Sequence, residues 1–568
     1  MGLARKNLPP GPSGQSCDLA HRQPPFRPLL YRLRELMPGS KRKFALLKKL
    51  NHLAPVWIAC LCAMSLIYTW NHEWGNHQKP VEVSAGILLV SFGVMLVWLL
   101  LLSGYRFLKR ILIAGALAVL VGGACLVFRV EGVSGDLVPI LGFRWSDRQQ
   151  LKMPEPGPAA EKAPPTSAGI PGEDNQAPGP PRDYPQFLGP ARDGVIEKTG
   201  VNWDLAANPP TEIWRRPVGA GWSAFSIRGG RAVTQEQRGA QECVVCYDLL
   251  DGKLIWSHSD EARFDEVLGG AGPRATPTLT ESRVFALGAT GILNCLDLSD
   301  GAGIWSVNLL ERYGCSNQSW GKSSSPLLAE GMVIVCVGAG SCPGLVALSQ
   351  ETGKEAWGSP RSNPGYSSPV LCTLAGRRQV LILNNTVLDS HSLVDGALLW
   401  SHPWPGSRPK VSQPVVIGED KVLISSGYGV GCELIQVSVG ADGFLETSTI
   451  WKNRNLKAKF SNTVIYGEDA YGLDDGILVC IDLQTGKRRW KGGRYGHGQL
   501  ILADRHLVVL TERGELVIVK PDQERLLETA KIKMISGKTW NHPALAAPFL
   551  LVRNATEAAC YKFTVMER

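Results

Sequence analysis

The sequence predicts an all-β fold, an eight-bladed β-propeller with tryptophan-docking repeats, preceded by three N-terminal transmembrane α-helices. Three observations lead there. An eleven-residue phrase ending in Trp recurs along the chain, short Val/Ile/Leu-rich runs lie between its copies, and three uncharged apolar stretches come before them. At 568 residues and 44% apolar, the chain exceeds one ordinary domain and is neither fibrous nor wholly disordered.

Residues 1–53 are expected to form a basic cytoplasmic tail. They carry 11 Lys/Arg against 2 Asp/Glu, which accounts for the whole net charge of +9 and leaves 49 residues of each sign in the rest. A balanced body has no electrostatic footprint for a phosphate backbone, so nucleic acid is not an expected partner.

Residues 54–128 hold the apolar runs Ala54 to Trp70, Val81 to Leu102 and Ile111 to Phe128. Each is about long enough to cross a hydrocarbon core of roughly 30 Å as a helix, and their interiors lack charge. A cleavable signal peptide is not expected after so long a polar and basic lead, and a buried helical hairpin is the alternative to three spans. The tail contains KRKFALLKK and the second loop Arg106, Lys109 and Arg110, whereas the first loop has only Lys79. The positive-inside rule therefore predicts a multi-pass protein of the inner membrane. Its N-terminus would be cytoplasmic and everything after Phe128 periplasmic or otherwise extracytoplasmic. The first outer loop, NHEWGNH, places His72, Glu73 and His77 together, but the His spacing is five, not the i, i+4 of a helical metal site. Residues 129–183 read as a Pro-rich extracytoplasmic linker, because MPEPGPAAEKAPPTSAGIPGEDNQAPGPPRD has too few large apolar groups to repay ordering.

Residues 184–568 are the repeat domain. The phrase occurs as CYDLLDGKLIW, CLDLSDGAGIW, ALSQETGKEAW, SHSLVDGALLW and CIDLQTGKRRW. With two further copies of the Trp, it places Trp214, Trp256, Trp305, Trp357, Trp400, Trp451 and Trp490 at spacings of 39 to 52 residues, the length of a four-stranded blade. Gly252, Gly301, Gly353, Gly396 and Gly486 follow Asp or Thr in a tight turn that calls for positive φ. Asp248, Asp297 and Asp482 can accept from turn amides, and Ser349 and Ser392 more weakly. Each Trp is expected to wedge between neighbouring blades.

Eight openings alternate with the phrases. In each, a small or polar pair precedes an inner strand, as in KSSSPLLAEGMVIVC and VSQPVVIGEDKVLIS. The last unit supplies three strands, and PTEIWRRPVG before the first opening is a strand with a phrase-type Trp. It is expected to complete the last blade and close the ring, removing exposed edges.

The phrase resembles the docking repeat of the pyrroloquinoline-quinone-like (PQQ-like) β-propellers, a superfamily with quinoprotein alcohol dehydrogenases and outer-membrane assembly lipoproteins among its members. DYPQFLGPARDGV resembles the lead-in of its membrane-attached members. The resemblance runs from about Tyr184 to the C-terminus. It implies one of two roles, a protein-binding or scaffolding module in the envelope or a PQQ-dependent alcohol or sugar dehydrogenase. For the enzyme it implies an adjacent-Cys disulfide over the quinone and a calcium held by carboxylates and amides. No two of the 14 cysteines are adjacent, and no motif places a calcium set, so no cofactor, metal or catalytic residue is assigned.

Cys246, Cys295 and Cys480 occupy the small first position of the phrase and read as packing residues. Cys243 and Cys246 point to opposite faces of a strand, unlike a zinc or redox pair. Cys315 and Cys342 fall in loops on one face, where a disulfide and two free thiols are both open readings.

Residues just before the inner strands converge on the central funnel. The candidate ligand site is Arg274, Trp320, Tyr366, Lys459, His497 and Trp540, with Lys322, Lys410, Asn462 and His542 nearby. Aromatics and cations around a concavity suit a peptide or an anion, against the plainer reading that they only fill the axis.

Overall fold

The computed structural model describes residues 41–72, 74, 78–145, 182–338, 342–407 and 409–566. The basic tail before Lys41, Glu73, His77 and the Pro-rich stretch 146–181 lie outside the described residues. The chain divides into two units, one of residues 1–72 and 83–125, the other of residues 73–82 and 126–568.

Three helices are long and apolar enough to cross a membrane. They are α1 (Lys41–Asn71), α2 (Gln78–Val97, continued by a π-helical turn Trp98–Leu102) and α3 (Phe107–Val127). Their apolar surfaces face outward, as with Leu89 and Val119, each 75% exposed. The π turn at the end of α2 leaves carbonyls unpaired, and side chains cap them. Asn51 Nδ2 donates to Leu102 O (2.6 Å), and Arg110 donates to Leu100 O (2.8 Å) and Ser103 O (2.5 Å).

Among its described residues the second unit is all β apart from a one-turn helix, α4 (Leu309–Tyr313), the helical start at Gln78 and the last two residues of α3. Among the described residues it contains eight large antiparallel sheets, spanning 226–260, 278–308, 327–358, 370–403, 415–453, 464–494, 499–533 and 544–562. Seven have four strands. Sheet seven gains a fifth, Val195–Ile196, parallel to Gln499–Ala503. In sheet eight the fourth strand is Thr211–Pro217, antiparallel to Glu557–Lys562. Sheets eight and one meet through the fully buried Arg553, whose guanidinium donates to Thr234 Oγ1 (2.7 Å), Gln235 O (3.0 Å) and Gly219 O (2.9 Å).

One register irregularity explains the phrase. Its first residue pairs directly with its Trp, as in Cys246↔Trp256, Cys295↔Trp305, Ala347↔Trp357 and Cys480↔Trp490, and the register shifts immediately afterwards. A small residue leaves room for the indole, and the bulge turns the indole towards the neighbouring sheet. There the Nε1–H reaches a carbonyl: Trp214 to Leu249 O (2.8 Å), Trp256 to Leu298 O (3.0 Å), Trp305 to Gln350 O (2.9 Å), Trp357 to Leu393 O (2.9 Å) and Trp451 to Leu483 O (2.8 Å). Trp490 does the same to Asp522 O (2.8 Å). Trp400 differs and donates to Gln379 Oε1 (2.7 Å) in its own sheet. Sheet five, next to it, has two nine-residue outer strands, Gly431–Val439 and Leu445–Asn453, in place of the phrase.

The turns themselves are held by the third residue. Asp248 Oδ1 accepts from Leu250 N at 2.8 Å and Asp482 Oδ1 from Thr485 N at 2.7 Å, whereas Ser349 Oγ stands 3.2 Å from Glu351 N and Ser392 Oγ 3.3 Å from Val394 N.

The stretch expected as a linker over 129–183 begins with ordered structure. Phe128–Val133 and Pro139–Phe143 pair as an antiparallel hairpin around the turn Ser134-Gly135-Asp136-Leu137, with Leu137 N donating to Ser134 O at 2.9 Å. The alternation of FRVEGV and PILGF around a Ser-Gly-Asp turn is a hairpin pattern, and main-chain pairing stabilises it without a large apolar core.

Candidate functional site in the central funnel

The axis of the propeller is lined by the residues that open each inner strand, and their side chains tie each sheet to the next. Ala224 N donates to Thr276 Oγ1 (3.1 Å), Thr276 N to Ser325 Oγ (2.9 Å) and Ser325 N to Ser368 Oγ (2.9 Å). Ser368 N then donates to Gln413 Oε1 (2.9 Å) and Gln413 N to Asn462 Oδ1 (2.8 Å). Gln499 Nε2 donates to both Phe460 O (3.1 Å) and Trp540 O (2.8 Å), and Asn541 Nδ2 to Ser223 O (2.8 Å). The small or polar pair in each opening is therefore a hydrogen-bonding device that satisfies main-chain donors and acceptors deep in the axis.

The lead-in segment crosses one end of this axis. Tyr184 pairs with Ile227, and Leu279 N donates to Pro185 O (2.8 Å). Phe187 stands edge-on to His542 at 5.0 Å. Arg192, only 5% exposed, spreads its guanidinium over Pro369 O (3.0 Å), Pro326 O (3.0 Å) and Ser325 O (2.5 Å). A planar fork of five donors suits convergent carbonyls better than an ammonium would.

At the other end the hairpin turn enters the funnel. Gly135 N donates to Glu512 Oε1 (2.7 Å), Lys459 Nζ donates to Gly135 O, and His497 Nε2 lies 3.0 Å from Asp136 Oδ1. A Cβ on Gly135 would collide with the His497 ring, so the turn fits only as glycine. Between the turn and the lead-in remains a cavity of about 380 Å3. Its walls include Trp222, Trp320, Tyr366, Tyr428, Phe460 and Trp540. Trp540 lies 4.9 Å from Trp222 and 5.0 Å from Phe460, and donates to Glu512 Oε1 at 2.8 Å. Lys538 sits 4.1 Å over Trp540.

A protein-family profile described as outer membrane protein assembly factor BamB matches residues 208–492. The chain belongs to that family. Among solved structures, a europium-containing methanol dehydrogenase is similar over 66% of this chain and 90% of its own, at 10% identity and a TM-score of 0.52. BamB from Moraxella catarrhalis is matched over 62% of this chain and 100% of its own, at 16% identity and a TM-score of 0.47. At such identity the likeness to the dehydrogenase is one of fold. No curated protein matches the chain.

For this BamB-family chain, the funnel brings together most of the residues that the sequence points to. Arg274, Trp320, Tyr366, Lys459, Asn462, Trp540 and His542 line the cavity, and His497 packs on Phe460 at 5.6 Å while facing the hairpin turn. Burial pushes the Arg274 guanidinium down to about 10, opposed by Glu266 at 3.6 Å. Burial also lowers Lys459, with Asp136 the first of the carboxylates that oppose it. His542 is held neutral, its pKa pushed down to about 3 by burial.

Two expected cations are elsewhere. Lys322 is fully buried beside Gln318 Oε1 (3.0 Å), because the positive φ of Gly321 breaks the alternation that would have kept it on the Trp320 side. Burial lowers its pKa to about 8. Lys410 lies 5.4 Å from the Trp404 ring centroid and does not line the cavity. Cys315 and Cys342 are joined in a disulfide with a Cα–Cα distance of 6.1 Å, whereas Cys243 and Cys246 are free and buried. The sequence reading missed Trp222, Tyr428, Phe460, Lys538, Glu512 and the hairpin turn. Trp222 and Phe460 do stand in openings and share their signal.

Proposed function

We propose that this chain is a membrane-anchored, extracytoplasmic, closed eight-bladed propeller that binds a protein partner in the cell envelope. The observation that carries the reading is the way the funnel holds Gly135. Both its amide and its carbonyl are recognised by side chains, by Glu512 and Lys459 respectively. Recognition of a main chain suits a polypeptide ligand better than a small alcohol or sugar. The anchoring and orientation rest on the three apolar helices and on the cations of the tail and second loop.

The second reading is a quinone- and calcium-dependent dehydrogenase, which the fold likeness brings to mind. The funnel carboxylates suit it poorly. Glu266 accepts from Leu268 N (2.9 Å) and Gly269 N, and Glu512 is taken up by Gly135 and Trp540. Crosslinking in intact membranes, followed by pull-down of the full chain, tests the first reading and is expected to capture an envelope protein. Quinone absorbance with dye-linked oxidation of alcohols or sugars, on adding quinone and Ca²⁺ to the purified chain, would overturn it.

A further inference from the structure

We infer that the funnel mouth is a receptor for an acidic Gly-Asp β-turn followed by a bulky apolar residue, and that Ser134–Val138 occupies it in cis and must leave before a partner's turn can enter. This rests on the reading of the funnel as a polypeptide-binding site and names both the partner's chemistry and its competitor.

Each feature of the occupied mouth selects one feature of a turn. The His497 ring leaves no room for a side chain at the first corner, so the corner must be glycine. Glu512 takes the glycine amide and Lys459 its carbonyl, which fixes the orientation of the main chain. The next residue presents its carboxylate to His497 at 3.0 Å, with Lys459 close by, which favours an acidic residue there. Leu137 and Val133 then form part of the cavity wall.

The fit is incomplete where a partner could improve on it. About 380 Å3 remains open between the turn and the aromatic walls, within the size range of ligand pockets. A leucine leaves that space unfilled. A turn with an aromatic residue at this position would bury more apolar surface against Trp320, Tyr428, Phe460 and Trp540. The cis turn is thus a ligand of modest intrinsic fit, kept in place by its covalent connection. A tethered segment acts at an effective concentration in the millimolar range, so a cis turn of only about 100 μM intrinsic affinity already weakens a free ligand about tenfold.

The test uses the full chain in detergent and a fluorescent synthetic peptide with the sequence of residues 128–143, closed into a hairpin. Two variants vacate the mouth without altering the propeller: Asp136→Arg, which reverses the charge facing His497 and Lys459, and Gly135→Val, which the His497 ring excludes. Both should bind the peptide at least tenfold more tightly than the unaltered chain, and a peptide with Leu137→Trp should bind more tightly still. Adding Lys459→Glu to either variant should abolish binding. The inference is overturned if both variants, folded by circular dichroism, fail to bind the peptide or bind it no better than the unaltered chain. Capture of the same envelope protein in equal yield by the unaltered chain and by Asp136→Arg would also sink the turn exchange, while leaving the protein-binding reading intact.

Discussion

The indole of Trp256 lies against the turn at Gly301 in the neighbouring sheet, so closely that a Cβ on that glycine would fall 2.5 Å from Cε3. The glycine therefore meets two demands at once, a φ of +73° and an absent side chain. The same relation holds for Trp214 with Gly252 (2.6 Å), Trp305 with Gly353 (2.8 Å) and Trp451 with Gly486 (2.5 Å). Gly331 separates the demands, because its φ is also +73° but nothing lies within 4 Å of its would-be Cβ. Gly331→Ala should cost about 1 to 2 kcal/mol, the strain of the left-handed conformation. Gly301→Ala should cost about twice that, since the docked indole must also move. Denaturant melts of the two variants check the difference.

Arg192 should be irreplaceable by lysine. Its guanidinium meets three carbonyls from the starts of two inner strands, and a lysine can point one ammonium at them but cannot match the fork. Arg192→Lys and Arg192→Ala should each lower stability by about 3 to 5 kcal/mol, because buried carbonyls lose their donors. Protection of the amides at Ser325 and Ser368 from hydrogen exchange reports the local loss.

The Cys315–Cys342 bond closes a loop of 27 residues. On chain entropy alone its removal should cost about 3 to 4 kcal/mol. The Cys315→Ser, Cys342→Ser double variant and the reduced protein should melt at similarly lowered denaturant concentrations. Equal melting of the oxidised protein and the double variant would show that the bond contributes nothing.

Stability should fall with acid in two windows. His542 has its pKa lowered from 6.5 to about 3 by burial. Above pH 6.5 both states are neutral there. Below it the unfolded chain takes up a proton that the folded one refuses, so stability drains away towards pH 3. For Glu433, burial alone would raise the pKa, but hydrogen bonds from His402, Lys452 and Thr449 prevail and hold it at about 2, below the usual 4.5. Its contribution is complete above pH 4.5 and is lost as pH falls through about 2. His542→Gln should flatten the profile from pH 6.5 down towards 3, and Glu433→Gln only below 4.5. Urea melts at fixed pH distinguish the two.

The repeat made the sheets legible because its two constraints, a positive-φ turn and a Trp at fixed distance, are local in sequence. The openings were legible for the same reason, and they led to Arg274, Trp320, Tyr366, Lys459, His497 and Trp540. The second demand on Gly301 was not, since it comes from a residue in another sheet. Lys322 was misplaced because one positive φ, at Gly321, reverses the side on which an extended segment presents its side chains. The hairpin at Phe128–Phe143 carries a local strand–turn–strand pattern, but its docking in the funnel is not legible, because its partners Glu512 and His497 lie more than 350 residues away.

The pairing of Thr211–Pro217 with Glu557–Lys562 has a consequence for the order of synthesis. Arg215 emerges long before its partner Glu557, 342 residues later, and until then the early strand has an unpaired edge. Six of the other large sheets can form from contiguous sequence as each is made, and sheet seven needs only the early strand Val195–Ile196 at its edge. The eighth must wait for the last of them, so on a ribosome stalled before Glu557 the strand Thr211–Pro217 still lacks its partner. That interval is when an unpaired strand edge is open to mispairing.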